Sequence, residues 1–96
     1  MLTQLEINER LKAIKPELES RFKVSSIGYF GSFANGTQNP QSDLDLLVEF
    51  SQPVGWNFFT LENYLEHLLG LKVDLVTRNS LKDQIKDSIL SQVLYI

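Results

Sequence analysis

The sequence predicts a two-layer α/β (α+β) domain, and three observations support that prediction. Strand-like apolar stretches at 24–30, 43–50 and 71–77 alternate with segments whose apolar residues recur at helical spacing. Polar or glycine-bearing corners separate them. Helices alternating with strands bury their apolar stripes against a sheet, which disfavours a bundle or a sandwich. The order of strands in the sheet is not encoded in this pattern.

The first helix is announced by Thr3 and Glu6, a capping-box pair, and by Ile7, Leu11, Ile14 and Leu18 at spacings of four, three and four. Pro16 removes a backbone donor and crowds the turn before it, so a kink or break is expected near Lys15. Val24, Ile27, Tyr29 and Phe30 form a first strand that Gly31 stops. Ser32 to Asn35 can make one helical turn, with Gly36 placed to end it in the left-handed region.

After a polar loop containing Asn39-Pro40, residues 43–50 read as a second strand, apolar on both faces at Leu46, Leu47 and Val48. Phe58, Leu61, Leu65 and Leu68 mark a second long helix whose other side carries Glu62 and Glu66, and Gly70 ends it. Residues 71–77 form a third strand. Ser80 with Asp83 repeats the capping signature ahead of Leu81, Ile85 and Ile89, and Val93 to Ile96 is expected to dock as an extended tail.

Length and composition narrow the function classes. A chain of 96 residues is expected to be one domain, residues 1–96, with a single core. Its apolar runs of four or five residues fall far below the roughly 18 to 20 that span a bilayer, so a cytoplasmic protein without membrane association is expected. The absence of cysteine excludes disulfides and thiolate metal sites and a single histidine disfavours a zinc site, so any metal is expected to be held by oxygen. A net charge of -3 argues against direct binding of long nucleic acid, but leaves small nucleotides open because divalent cations can offset their charge.

The chemistry concentrates between Gly31 and Asp45. In a strand Asp43 and Asp45 project together, and two neighbouring carboxylates repel unless a cation such as Mg²⁺ lies between them. An isolated Asp-x-Asp is more often a polar strand start. Asp74, however, sits among Val73, Leu75 and Val76, where an unpaired carboxylate is costly, and it can complete an oxygen-only site if the second and third strands are neighbours; the alternative is an exposed edge position, or a pair with Lys72 or Arg78. Gly31 and Ser32 add a corner where backbone N–H groups can approach a phosphate.

Gly31-Ser32, ten intervening residues and Asp43-Leu44-Asp45 together resemble the signature of the DNA polymerase beta-like nucleotidyltransferase superfamily. The stretches from Phe30 to Gly36, Ser42 to Phe50 and Lys72 to Thr77 are similar to the minimal nucleotidyltransferase (MNT) proteins, over nearly the whole chain. The resemblance implies a nucleotidyltransferase fold with a small mixed sheet flanked by helices. It also implies that Gly31 and Ser32 bind the nucleotide, and that Asp43, Asp45 and Asp74 are both catalytic and metal-binding. The implied cofactor is two magnesium ions, with manganese as a substitute, and ATP is the substrate.

MNT proteins are commonly antitoxins of HEPN-domain ribonuclease toxins, so the resemblance implies transfer of AMP to a tyrosine of such a toxin and a hetero-oligomer with it. So short a chain is expected to receive its acceptor from a separate molecule. Neutralisation mainly by binding is the alternative, motivated by Asn35 where many relatives carry a basic residue. Arg78 or a lysine of the last helix is a candidate to compensate. Transfer to a small molecule is a third reading. Trp56, Phe58 and Phe59 form either a partner-binding patch or a cap on the core; Tyr95 is a docking aromatic or a packed tail residue; His67 reads as a surface or helix-end residue rather than a catalytic one; Glu49 faces solvent or a basic residue of a partner, or else supports the metal site from beside it.

Overall fold

The computed structural model describes residues 2–96. Its elements are α1 (Gln4–Arg21), β1 (Val24–Phe30), α2 (Ser32–Asn35), β2 (Leu44–Phe50), α3 (Asn57–Leu69), β3 (Val73–Thr77), a 3₁₀ turn (Arg78–Ser80), α4 (Asp83–Gln92) and β4 (Leu94–Tyr95). The four strands form one sheet in the order β3-β2-β1-β4. β1 runs antiparallel to β2 and β4, whereas β2 and β3 are parallel, so the sheet is mixed as expected.

Side-chain alternation along the strands gives the sheet one face for the core. Val24, Tyr29, Leu44, Leu46, Val48, Val73 and Leu75 meet Ile7, Leu11 and Leu18 of α1 and Leu61, Leu65 and Leu69 of α3 in one buried cluster. Polar ties pin the two helices together: the Tyr64 hydroxyl donates to Glu17 at 2.8 Å, and Arg10 donates to the Leu69 carbonyl at 3.3 Å. The opposite sheet face carries Phe30, Asp45 and Asp74 side by side, since Phe30 pairs with Asp45 and Asp45 with Asp74.

Several expectations are met closely. Thr3 and Glu6 make the full capping box, Gly36 ends α2 at φ 75°, and Gly70 ends α3 at φ 74°. Others need correction. α1 runs unbroken through Pro16: the proline is exposed, and the carbonyl it leaves without a donor belongs to Lys12, also exposed, where water can satisfy it. Ser80 does not cap α4. Its hydroxyl donates back to the Thr77 carbonyl at 2.8 Å and closes the 3₁₀ turn, so α4 starts at Asp83 without a side-chain cap. None of the residues of α4 is buried, and Ile85 is 47% exposed on the face expected to be covered.

The tail does dock, as a strand. β4 pairs with Gly28 and Tyr29, and the Ile96 N–H donates to the Ile27 carbonyl at 2.9 Å. Gly28 permits this approach, because a Cβ there would meet Val93 Cγ1 at 2.6 Å and the Leu94 carbonyl oxygen at 2.8 Å. Gly28→Val is therefore expected to unseat the tail at a cost of roughly 1–3 kcal/mol. Amide hydrogen exchange checks this: the Ile96 amide should lose protection while the β1–β2 amides keep theirs, and an unchanged Ile96 would contradict the packing.

Candidate active site

The corner after β1 is built by glycine geometry. Gly31 has φ 70° and ψ -146°, a combination side chains rarely adopt, and its carbonyl accepts the Ala34 and Asn35 N–H groups at 3.1 and 3.0 Å to start α2. Helices leave their first N–H groups without internal partners, so the N–H groups of Ser32 and Phe33 have no partner within α2. From α1, the Gln4 amide donates to the carbonyls of Phe33 and Ala34 at 2.8 and 3.1 Å and holds the short helix in place. No spacing in the sequence marks Gln4 for this role.

The loop before β2 is equally ordered by side chains. Asn39 Oδ1 accepts the Gln41 N–H at 2.8 Å, and Ser42 Oγ accepts the Asn39 N–H at 2.9 Å. The Leu44 N–H then donates to the Lys72 carbonyl at 2.9 Å and draws the chain against β3. Asp43 lies just ahead of β2 rather than inside it and is exposed, Asp45 is half-buried, and Asp74 is exposed on the edge strand. Asp45 and Asp74 are register partners on parallel neighbouring strands, so their side chains leave the same face.

The electrostatic burden falls on a different acid from the one expected. Asp74 was expected in an apolar setting, but its edge position leaves it in water, with Val73 and Leu75 turned inward. Asp45 carries the cost: burial first, then the charges of Asp74 and Asp43, push its carboxyl from 3.8 up to about 6. Its Oδ2 lies against Gly31, where a Cβ would collide with it. The phosphate-suited corner and the acids are thus one surface.

This donor set, carboxylate oxygens whose mutual repulsion a cation would relieve, fits a hard divalent ion in its chemistry. Among the described residues, no group of three acidic or histidine side chains is already closed round such an ion. The acids lie on open surface. A cleft of about 540 Å³ lies at the far end of β2 and β3, between Glu49, Phe50, Pro53 and Arg78.

Arg78 ion-pairs with Glu49 at 3.7 Å beyond the end of β3, and Asn35 is exposed at the end of α2. The ring of His67 contacts the Asn63 carbonyl at 2.9 Å near the end of α3. Phe58 packs against the core, whereas Trp56 and Phe59 are 84% and 54% exposed with ring centroids 5.7 Å apart. Tyr95 is exposed on β4. Glu62 and Glu66, expected on the outer side of α3, instead reach the β3 backbone. Their spacing of four residues was the available signal.

A mixed sheet with paired acids beside a glycine-serine corner defines a nucleotidyl-transfer scaffold, and the chain belongs to the nucleotidyltransferase-domain family, whose profile matches residues 11–96. Over 97 aligned residues it is 48% identical to the protein adenylyltransferase MntA of Thermococcus cleftensis, covering 100% of this chain and 98% of that protein. A solved structure described as a candidate minimal nucleotidyltransferase superposes with a TM-score of 0.82 at 30% identity, covering 97% of this chain and 95% of the other. A chain of a toxin-antitoxin structure with AMP-PNP gives a TM-score of 0.68 at 26% identity, covering 98% of this chain and 72% of the other. Among the described residues no helix is long and apolar enough to cross a membrane.

Proposed function

We propose that this nucleotidyltransferase transfers AMP from ATP, with Mg²⁺, to a tyrosine hydroxyl of a HEPN-domain toxin and so acts as its antitoxin in the cytoplasm. The observation that carries the reading is the registered pairing of Asp45 with Asp74 on one sheet face, with the Gly31 backbone packed against Asp45. The whole-length likeness to a protein adenylyltransferase supports protein as the acceptor, and the toxin-antitoxin structure with an ATP analogue supports the partner and nucleotide classes.

Asp43, Asp45 and Asp74 are the residues that would hold two magnesium ions, which when bound neutralise phosphate charge and favour the acceptor's attack. The N–H groups of Ser32 and Phe33, with the Ser32 hydroxyl, bind the triphosphate. Asp74, open to solvent, accepts the proton of the incoming hydroxyl. The acceptor oxygen bonds to the α-phosphorus as the bond from that phosphorus to the bridging oxygen breaks, and pyrophosphate leaves with the electron pair. An open site suits an acceptor presented on another protein's surface, in a hetero-oligomer with this single minimal domain.

Incubation with labelled ATP, Mg²⁺ and the cognate toxin should label the toxin, and Asp43→Asn should reduce labelling by at least 100-fold, on the order expected when a positioning ligand is lost. Undiminished labelling by that variant would falsify the site assignment. A second reading, neutralisation mainly by binding, is favoured by Asn35 and the exposed Trp56 and Phe59. Full neutralisation by Asp43→Asn at equal expression would establish it.

A further inference from the structure

Asp74 sits on an edge strand, which by itself has an unpaired row of backbone groups and little to fix its position. β3 is not left in that state. The Val73 N–H donates to Glu66 Oε2 at 2.9 Å, and the Leu75 N–H donates to Glu62 Oε2 at 3.2 Å. These are the two outward N–H groups on either side of Asp74. Glu62 and Glu66 are one helical turn apart, and Val73 and Leu75 are two residues apart along the strand, so the two repeats match at roughly 5.5–6.5 Å. Val73 and Leu75 are also buried at 3% and 4% exposure, so each is held by its side chain from the core and by its N–H from α3.

We infer that Glu62 and Glu66 are positioning residues, clamping β3 on both sides of Asp74 and fixing that carboxylate opposite Asp45. The inference deepens the proposed function and rests on its assignment of Asp74. The clamp also occupies the outward donors of the sheet edge, so a partner strand cannot add there without displacing both carboxylates. The geometry makes a specific chemical demand: each position needs an oxygen acceptor, not a charge. Glutamine keeps that acceptor and alanine removes it.

The test compares Glu62→Ala, Glu66→Ala and their combination with Glu62→Gln and Glu66→Gln in the ¹⁵N-labelled full chain. Amide hydrogen exchange at Val73 and Leu75 should accelerate about tenfold or more in the alanine variants, stay near the parent in the glutamine variants, and leave the β1–β2 amides unchanged. Mn²⁺ titration, read as paramagnetic broadening of the Asp45 and Asp74 amides, should need several-fold more metal in the alanine variants, with rescue by glutamine. In the transfer assay the alanine variants should lower kcat and raise the Mg²⁺ needed for half-maximal rate, with KM for the toxin unchanged. The single variants carry the test if the double variant does not fold. Faster exchange with an unaltered Mn²⁺ response and unaltered kcat would overturn the inference and leave the clamp purely structural. A parent protein showing no Mn²⁺ effect at Asp43, Asp45 or Asp74 would overturn the metal assignment itself, which is a separate result.

Discussion

Gly31→Ala is expected to abolish transfer, with a loss of at least 100-fold and a fold less stable by roughly 1–3 kcal/mol. Two independent effects coincide at this position. The backbone at φ 70° and ψ -146° is strained for any residue with a side chain, and the added Cβ would occupy the space of Asp45 Oδ2. Relief of either requires the corner or the carboxylate to move. Gly36→Ala is the control for a positive φ alone, because Gly36 has a φ of 75° in the ordinary left-handed region at ψ 17° and nothing within 4 Å of its missing Cβ. That variant should lose less stability in thermal unfolding than Gly31→Ala and keep most activity. Equal activity losses in the two variants would show that the close approach to Asp45 is irrelevant.

Asp45→Asn is expected to be inactive yet more stable than the parent at neutral pH without metal. The carboxyl of Asp45 is raised from 3.8 to about 6 in the folded chain, by burial and then by Asp74 and Asp43. A folded value above the unfolded one means that the folded chain holds the proton more tightly. The stability from this group is therefore fully present below 3.8 and is lost as pH rises through about 6. Because the group is only half-buried, solvent screening reduces the penalty above pH 6 to about 1 kcal/mol. Denaturant unfolding from pH 4 to 8 should show the parent losing about that much relative to the variant across this window. Excess Mg²⁺ should recover the loss in the parent alone. A constant difference between the two proteins at all pH values would contradict the assignment.

These two residues show what the sequence could and could not convey. The strands, the long helices and the Gly36 and Gly70 stops follow from local patterns, since period and φ preference are properties of short segments. The neighbourhood of Asp45 and Asp74 was conditional on strand order, a long-range property that no local pattern contains. The edge position of β3 has the same origin, and it reverses which acid is desolvated: Asp74 looks buried by its apolar neighbours, but alternation turns Val73 and Leu75 inward and Asp74 out. Pro16 was misleading because its cost depends on whether the orphaned carbonyl reaches water. Ser80 read as a cap for α4, but the chain path turns its hydroxyl back to Thr77. Glu62 and Glu66 looked like a solvent face because helical spacing cannot distinguish water from a strand edge.

The central claim is that the acids beside Gly31 direct nucleotidyl transfer to a protein. It is tested most directly by supplying the toxin with ATP labelled either at the α-phosphate or at the γ-phosphate. With Mg²⁺ and the parent chain, α-label should appear on the toxin and γ-label should appear only in released pyrophosphate, whereas Asp45→Asn should transfer neither. Incorporation of γ-label into the toxin, or α-labelling by Asp45→Asn equal to that of the parent, would contradict it.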